Sequence, residues 1–500
     1  MPDMRFLRKL FRLIVILGVV VLMVPCGEEP QLSAGQGQQG GQINWPRFRG
    51  PASNPISDNP TLPVHWSKTE NVEWVSDVPG VGWSSPVVWG KRIFVTAATS
   101  RQPMKQPKLG TDFSNEYLAE LQKQGLSAEE INRRLYERDR EMPHELEISL
   151  VLYCYDLESG KRSWERQVYH GNPRGGRHSK NSYASETPVT DGKRVYVYFT
   201  DYGLYAYDFS GKQVWATPLE RHDTWRDWGT GASPALYRDR LFVQNDNEQQ
   251  PFLAAFDTRT GKELWRKPRN LGVSRKTGWS TPFVWENRVR AEVVAVGPGA
   301  VISYGLDGAE LWRMKRMALG TIQSPFACND LLYVTSGTPG ESNRPIAAIR
   351  AGGSGDITPA EPDNRNEYVV WYDRIAGGTY LPTPVVYGNA LYAVTDKGII
   401  SRHNAATGER TYRSRISAEA SAFTASPWAY NGRVFVLSEE GDTFVIDTKE
   451  EFKLLGVNSL GEFSMATPAI IGDRLLIRTQ SHLYSIRNRH KQDHAVRDGR

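Results

Sequence analysis

Cysteine is nearly absent: the 500 residues hold three, Cys26, Cys154 and Cys328, and no two are adjacent. So few cannot staple a chain of this size, and the fold must rest on an apolar core. The nine histidines show no zinc-ligand spacing. Neither a Gly-x-Ser-x-Gly nucleophile elbow nor a glycine-rich nucleotide fingerprint after a strand occurs, which leaves hydrolase and nucleotide-dependent readings unsupported. The formal charge of +5 is spread along the chain without a basic stripe or a reader motif, so nucleic acid is not an expected partner. The N-terminal apolar run, Leu13 to Val24, is too short for an ordinary membrane-spanning helix.

That run follows Arg5, Arg8, Lys9 and Arg12 and precedes Pro25-Cys26-Gly27, the order of a secretory signal. Export to the periplasm or cell envelope is therefore expected for residues 1–26, with Cys26 either a lipidation cysteine or an ordinary residue beside a cleavage site, and an uncleaved anchor as a third option. Residues 27–42, rich in Gly and Gln, read as a flexible tether, and residues 488–500 as a basic polar tail. Cys154 and Cys328 fall in different repeats and are expected to be buried apolar thiols.

What the chain does have is a repeat. A Ser/Thr-Pro, two or three apolar residues, a Gly/Asn/Asp turn and a run of β-formers start eight times, at Ser85, Thr187, Ser233, Thr281, Ser324, Thr383, Ser426 and Thr467. Short strands recurring every 40–50 residues or so predict a β-propeller, because a four-stranded sheet buries both faces only between two neighbours. The expected fold is all-β: eight four-stranded antiparallel blades over residues 43–487. The last repeat supplies three strands, and Val72-Glu73-Trp74-Val75 stands unpaired before the first, so an N-terminal strand should complete blade eight and remove two open edges. Blade one carries an insertion at about 99–147, in which Ser127-Ala128-Glu129-Glu130 is a capping box opening a helix and Gly125 closes the helix before it. A glycine-rich stretch in blade five, from Arg350 to Asn366, matches no phosphate-loop spacing and reads as a surface loop.

The second half of each unit reads Ala-x-Asp, Thr/Ser-Gly-Lys and Trp, as in Ala206-Tyr207-Asp208, Ser210-Gly211-Lys212 and Trp215, or Ala255-Phe256-Asp257, Thr260-Gly261-Lys262 and Trp265. This pattern resembles the tryptophan-docking repeat of the pyrroloquinoline-quinone (PQQ) propeller superfamily, over about residues 66–487. Trp215 and Trp265 are accordingly expected between blades.

Propeller geometry puts the segments before each Ser/Thr-Pro, and the loops between second and third strands, on one face near the axis. That face collects Trp83, His178, Lys180, Asn181, Glu186, Asp227, Trp228, Asn245, Asp246, Glu248 and Trp279 as ligand-binding candidates, with Trp225, His222, Asp223, Asn247 and Gln323 nearby. Indoles to stack and polar groups to orient suit a small molecule, a glycan or a partner protein, although indoles can also simply pack blade to blade and Asp/Asn runs are ordinary loop chemistry. The stretches Arg177–Pro188, Asn44–Gly50 and Asn245–Glu248 resemble exported PQQ-like propeller proteins to which no reaction attaches. PQQ-dependent alcohol dehydrogenases of the superfamily are marked by a vicinal disulfide, Ca²⁺ ligands and an Asp base. Cys154 and Cys328 cannot form the first, and no catalytic residue is assigned here; Glu186 with Asn or Asp companions would be the place for Ca²⁺. The chain is also similar to the propeller lipoprotein of the outer-membrane protein assembly machinery in its export signal and blade count. The resemblance thus implies a monomeric binding or scaffolding propeller without cofactor at the cell envelope, with a PQQ- and Ca²⁺-dependent oxidoreductase as the alternative.

Overall fold

The computed structural model describes residues 44–104, 107, 120–140, 146–178, 180–338, 341–374, 378–420 and 422–488. Their strands form eight sheets arranged as the repeat requires. In blade one the inner strand is Val87–Trp89, followed by Arg92–Thr99, Ile148–Asp156 and the outer Arg162–Gly171, all antiparallel. Inner strands and the two beside them are almost wholly buried. Outer strands alternate, as in Glu263–Pro268, because one face packs and the other meets water.

The ring closes as expected. Val72–Asp77 pairs antiparallel with His482–Arg487 and becomes the outer strand of blade eight. Glu73 strengthens this seam by pairing with Arg474 at 3.1 Å and Arg487 at 3.2 Å.

Seven of the eight Ser/Thr-Pro hydroxyls, all but that of Ser85, prove to be joints between blades. The main-chain N–H of Ser85 donates to Thr187 Oγ1, that of Thr187 to Ser233 Oγ, and that of Ser233 to Thr281 Oγ1, at 2.9–3.0 Å. The relay continues through Ser324, Thr383, Ser426 and Thr467 at 3.0–3.3 Å. A hydroxyl is needed at each start because a buried N–H at the axis would otherwise lose its partner. The proline that follows has no N–H to satisfy.

On the outside, the tryptophans dock onto the next blade. Trp215 Nε1 donates to Thr258 O and Trp265 Nε1 to Leu306 O, both at 2.9 Å. Gly261, at φ 71°, lies so close that a Cβ would sit 2.5 Å from the Trp215 ring, so the Thr-Gly-Lys turn needs glycine for both conformation and space. Trp74, Trp164 and Trp371 repeat the contact on Leu157, Phe209 and Ala405. Trp312 breaks the series by donating to Glu292. There the glycine-rich stretch read as a surface loop folds back, and Gly355–Asp356 adds a parallel fifth strand to the outer strand of blade four. Trp215→Ala and Trp265→Ala should each lower unfolding free energy by about 3–5 kcal/mol, measured by denaturant titration, with the Gly261→Ala and Gly308→Ala variants failing in the same direction.

The N-terminal stretch before the closing strand is part of the ring too. Trp45 bridges Val88 of blade one, Pro46 O receives Thr190 N of blade two, Asn54 bonds Val386 of blade six, and Ile56–Ser57 pairs parallel with blade seven. Residues 44–63 thus form a strap across the face opposite the Ser/Thr-Pro starts. Within the blade-one insertion, Ser127 Oγ receives the Glu130 N–H at 3.1 Å and caps the helix Ala128–Arg140, as the capping box predicts. Gly125 closes the turn before it at φ 69°, and Leu121 and Leu135 are buried; Leu118 lies outside the described residues.

Cys154 is a buried free thiol pushed up to about 12 by desolvation. Cys328 ends the inner strand Phe326–Cys328 and is buried. The signal, tether and tail, with Cys26, lie outside the described residues.

Candidate functional site

A cavity of about 520 Å³ opens on the axis at the face where the Ser/Thr-Pro units begin. Its wall contains Trp83, Trp225, Trp228 and Trp279, and Phe48 of the strap closes it from below. The Trp228 and Trp279 rings lie 6.1 Å apart at 35°, and His178 meets Trp228 edge-on at 4.8 Å. Trp279 is held from behind by its Nε1 donating to Gly229 O at 2.8 Å. Seven Ser/Thr-Pro hydroxyls, from Thr187 round to Thr467, line the channel.

The turn that carries Trp225 and Trp228 is strained. Arg226 and Asp227 both adopt φ 53°, a left-handed conformation that β-carbon-bearing residues avoid. Two contacts hold it: Asp227 accepts from Arg221 at 2.7 Å and from the Gly176 N–H at 2.8 Å. Strain of this kind persists only where surroundings over-determine it, and here it turns Trp225, Arg226 and Trp228 toward the cavity.

Of the eleven candidates, Trp83, His178, Lys180, Asn181, Trp228 and Trp279 line the cavity. Lys180 also pairs with Glu439 from blade seven, which in turn accepts from Thr424 at 2.6 Å. Asn181 uses its amide to fix the turn, donating to Trp228 O and Thr230 O. The remaining five lie on this face but work inside the scaffold. Glu186 is buried and accepts from Thr200 and Thr230 at 2.8 and 2.9 Å; burial raises its carboxyl, opposed by nearby Arg177. Asp246 pairs with Arg269 at 2.6 Å, both fully buried. Asn245 Oδ1 accepts from Asn247, Asp227 holds the strained turn, and Glu248 caps the Lys276 and Thr277 N–H groups. Sequence reasoning missed Phe48, Arg226, Arg275 and Tyr380, because none belongs to the repeat and they meet only through the ring.

Among the described residues no three His, Cys, Asp or Glu side chains gather where they could hold a metal ion. Asp227, Asp246 and Glu248 spend both oxygens, and Glu186 its Oε1, on scaffold partners, so these residues do not fit a quinone-bound Ca²⁺ cradle.

A family model described as outer membrane protein assembly factor BamB matches residues 148–278 and 290–451, more than half of the chain. The chain belongs to that family. Among solved structures, this BamB-family propeller is similar to BamB from Moraxella catarrhalis, at 12% identity and a TM-score of 0.50 over 68% of this chain and 93% of that one. It is also similar to a quinohemoprotein alcohol dehydrogenase from Comamonas testosteroni, at 12% identity and a TM-score of 0.55 over 89% and 80% of the two chains. A europium-containing methanol dehydrogenase follows at 10% identity and 0.50, over 90% and 98%. At these identities the likeness is one of fold. No curated protein matches the chain.

Proposed function

We propose that this propeller is an exported envelope binding module, not an oxidoreductase, and that the axial cavity receives its ligand or a segment of a partner protein. The observation that carries the reading is the split between the two sets of polar groups. The cavity wall is aromatic and hydroxyl-rich, whereas the carboxylates that proton transfer or metal binding would need are spent on the scaffold. Membership of a family described by an assembly factor supports the same reading. Export rests on residues 1–26; among the described residues no helix is long and apolar enough to cross a membrane.

The test is retention. The protein purified from its native envelope is compared with Trp228→Ala by native mass spectrometry under gentle ionisation. A bound molecule or peptide should accompany the wild type and be lost from the variant, whose melting temperature should stay close because Trp228 is partly exposed at the cavity. Equal retention by both proteins, or none by either, would count against the funnel as the binding site.

A further inference from the structure

The cavity is lined by hydroxyls and cationic side chains and by no carboxylate. Its charged lining residues are Lys180, Arg226 and Arg275, and no aspartate or glutamate is among them. Lys180 is offset by Glu439; the other two are guanidiniums. Both stand over the same indole, each with its carbon 5.6 Å from the Trp225 ring centre, so their planes are organised before any ligand arrives. Arg275 forms no ion pair among the described residues, and its Nε is buried without a hydrogen-bond partner.

Neutral donors point the same way. Trp83 Nε1 is buried without a partner although its indole lines the wall. Each Ser/Thr-Pro hydroxyl of the belt accepts one main-chain N–H and keeps its own proton to donate. A ligand that satisfies this lining carries oxygens that can accept from the hydroxyl belt and at least one negative charge.

Shape narrows the class. Trp228 and Trp279, inclined at 35° with centres 6.1 Å apart, make an angled wall, not a slot. Parallel plates would grip a flat aromatic ring on both faces; an angled wall with hydroxyls opposite fits a puckered ring whose apolar face stacks and whose rim is oxygen. Resting on the binding-module reading above, we infer that the funnel takes an acidic saccharide, a sugar bearing a carboxylate, with the carboxylate on Arg275 and a sugar face on Trp228 and Trp279.

Calorimetry and tryptophan fluorescence with a galacturonate trisaccharide, the neutral maltotriose, 2-naphthoate and inorganic sulfate decide it. The acidic trisaccharide should bind and perturb the indole emission, weakening as salt is raised, while maltotriose should bind at least about tenfold more weakly, the equivalent of one charge-assisted hydrogen bond. Arg275→Gln should lose at least about tenfold in affinity for the acidic trisaccharide alone, and Arg275→Lys should recover part of it. Thermal melts of both variants confirm folding, since the contact Arg275 gives up is the one with the Trp225 ring. Equal affinity for maltotriose, or naphthoate binding with the acidic trisaccharide inert, would overturn the saccharide while leaving the funnel a binding site. A native molecule retained in the funnel with all four probes inert would also overturn it, and loss of that retention test itself would overturn the underlying reading.

Discussion

Replacing Val72–Asp77 by a Gly-Ser segment of equal length is expected to abolish the cooperative unfolding of the ring. The strand contributes a full antiparallel ladder to His482–Arg487. It also buries Val72, seats Trp74 against Leu157 O of blade one at 3.0 Å, and brings Glu73 to Arg474 and Arg487. Losing the tryptophan alone costs about 3–5 kcal/mol, and each ladder bond adds about 1 kcal/mol. The sum approaches the whole stability of an ordinary domain, about 5–15 kcal/mol. Arg474, buried, would lose one of its two carboxylates and keep Glu158. Circular dichroism melts of the two proteins should differ in cooperativity as well as midpoint. An unchanged melt would mean that the ring does not depend on this seam.

The second large effect is expected from Arg49, the central tie of the strap. Its guanidinium is buried to 1% exposure over the Phe326 ring and donates to Ser53 O at 2.9 Å, Thr383 O at 2.8 Å and Pro384 O at 2.5 Å. Burial lowers it to about 9, and its neighbour Arg47 to about 10, so both remain charged at neutral pH. Arg49→Met keeps much of the packing and deletes the bonds, leaving three buried carbonyls without a donor. At about 1–3 kcal/mol for each unsatisfied group, the loss should reach about 3 kcal/mol or more. Arg49→Lys should recover little, because a point ammonium cannot span three carbonyls as a planar fork does. Urea midpoints measure the change. Cleavage near Gly50 in the Met variant, at a protease concentration that spares the wild type, would place the loosening in the strap. A change within about 0.5 kcal/mol would show that the strap is not held by this residue.

The strap itself was not legible in advance. Asn44–Gly50 has no period to reveal a partner, and its contacts reach blades hundreds of residues away. By contrast the closing strand could be read, since Val72–Val75 is a β-former segment left over by an otherwise regular count. The Ser/Thr-Pro hydroxyls were visible as a repeat but not as a belt. A hydroxyl that accepts the N–H of the preceding blade's start is a relation between repeats, and a single repeat does not contain it.

The candidate site divides along the same line. Trp83, Trp228 and Trp279 could be placed on the funnel face because they precede inner strands, and that position follows from the repeat. Glu186 shares that position and Asp246 sits in a loop between second and third strands, yet both turn into the scaffold, where Thr200 and Thr230 meet one and Arg269 the other. A sequence records residue type and spacing but not which buried partner competes for a carboxylate. Arg226 and Arg275 became a pair only because a strained turn and a neighbouring blade bring both to Trp225. The sequence by itself determined the ring, its eight blades and its closure, since local turn chemistry and period 2 strands repeat with every unit. Tertiary structure alone decided the strap and the charge of the cavity, because each depends on which distant groups are buried together.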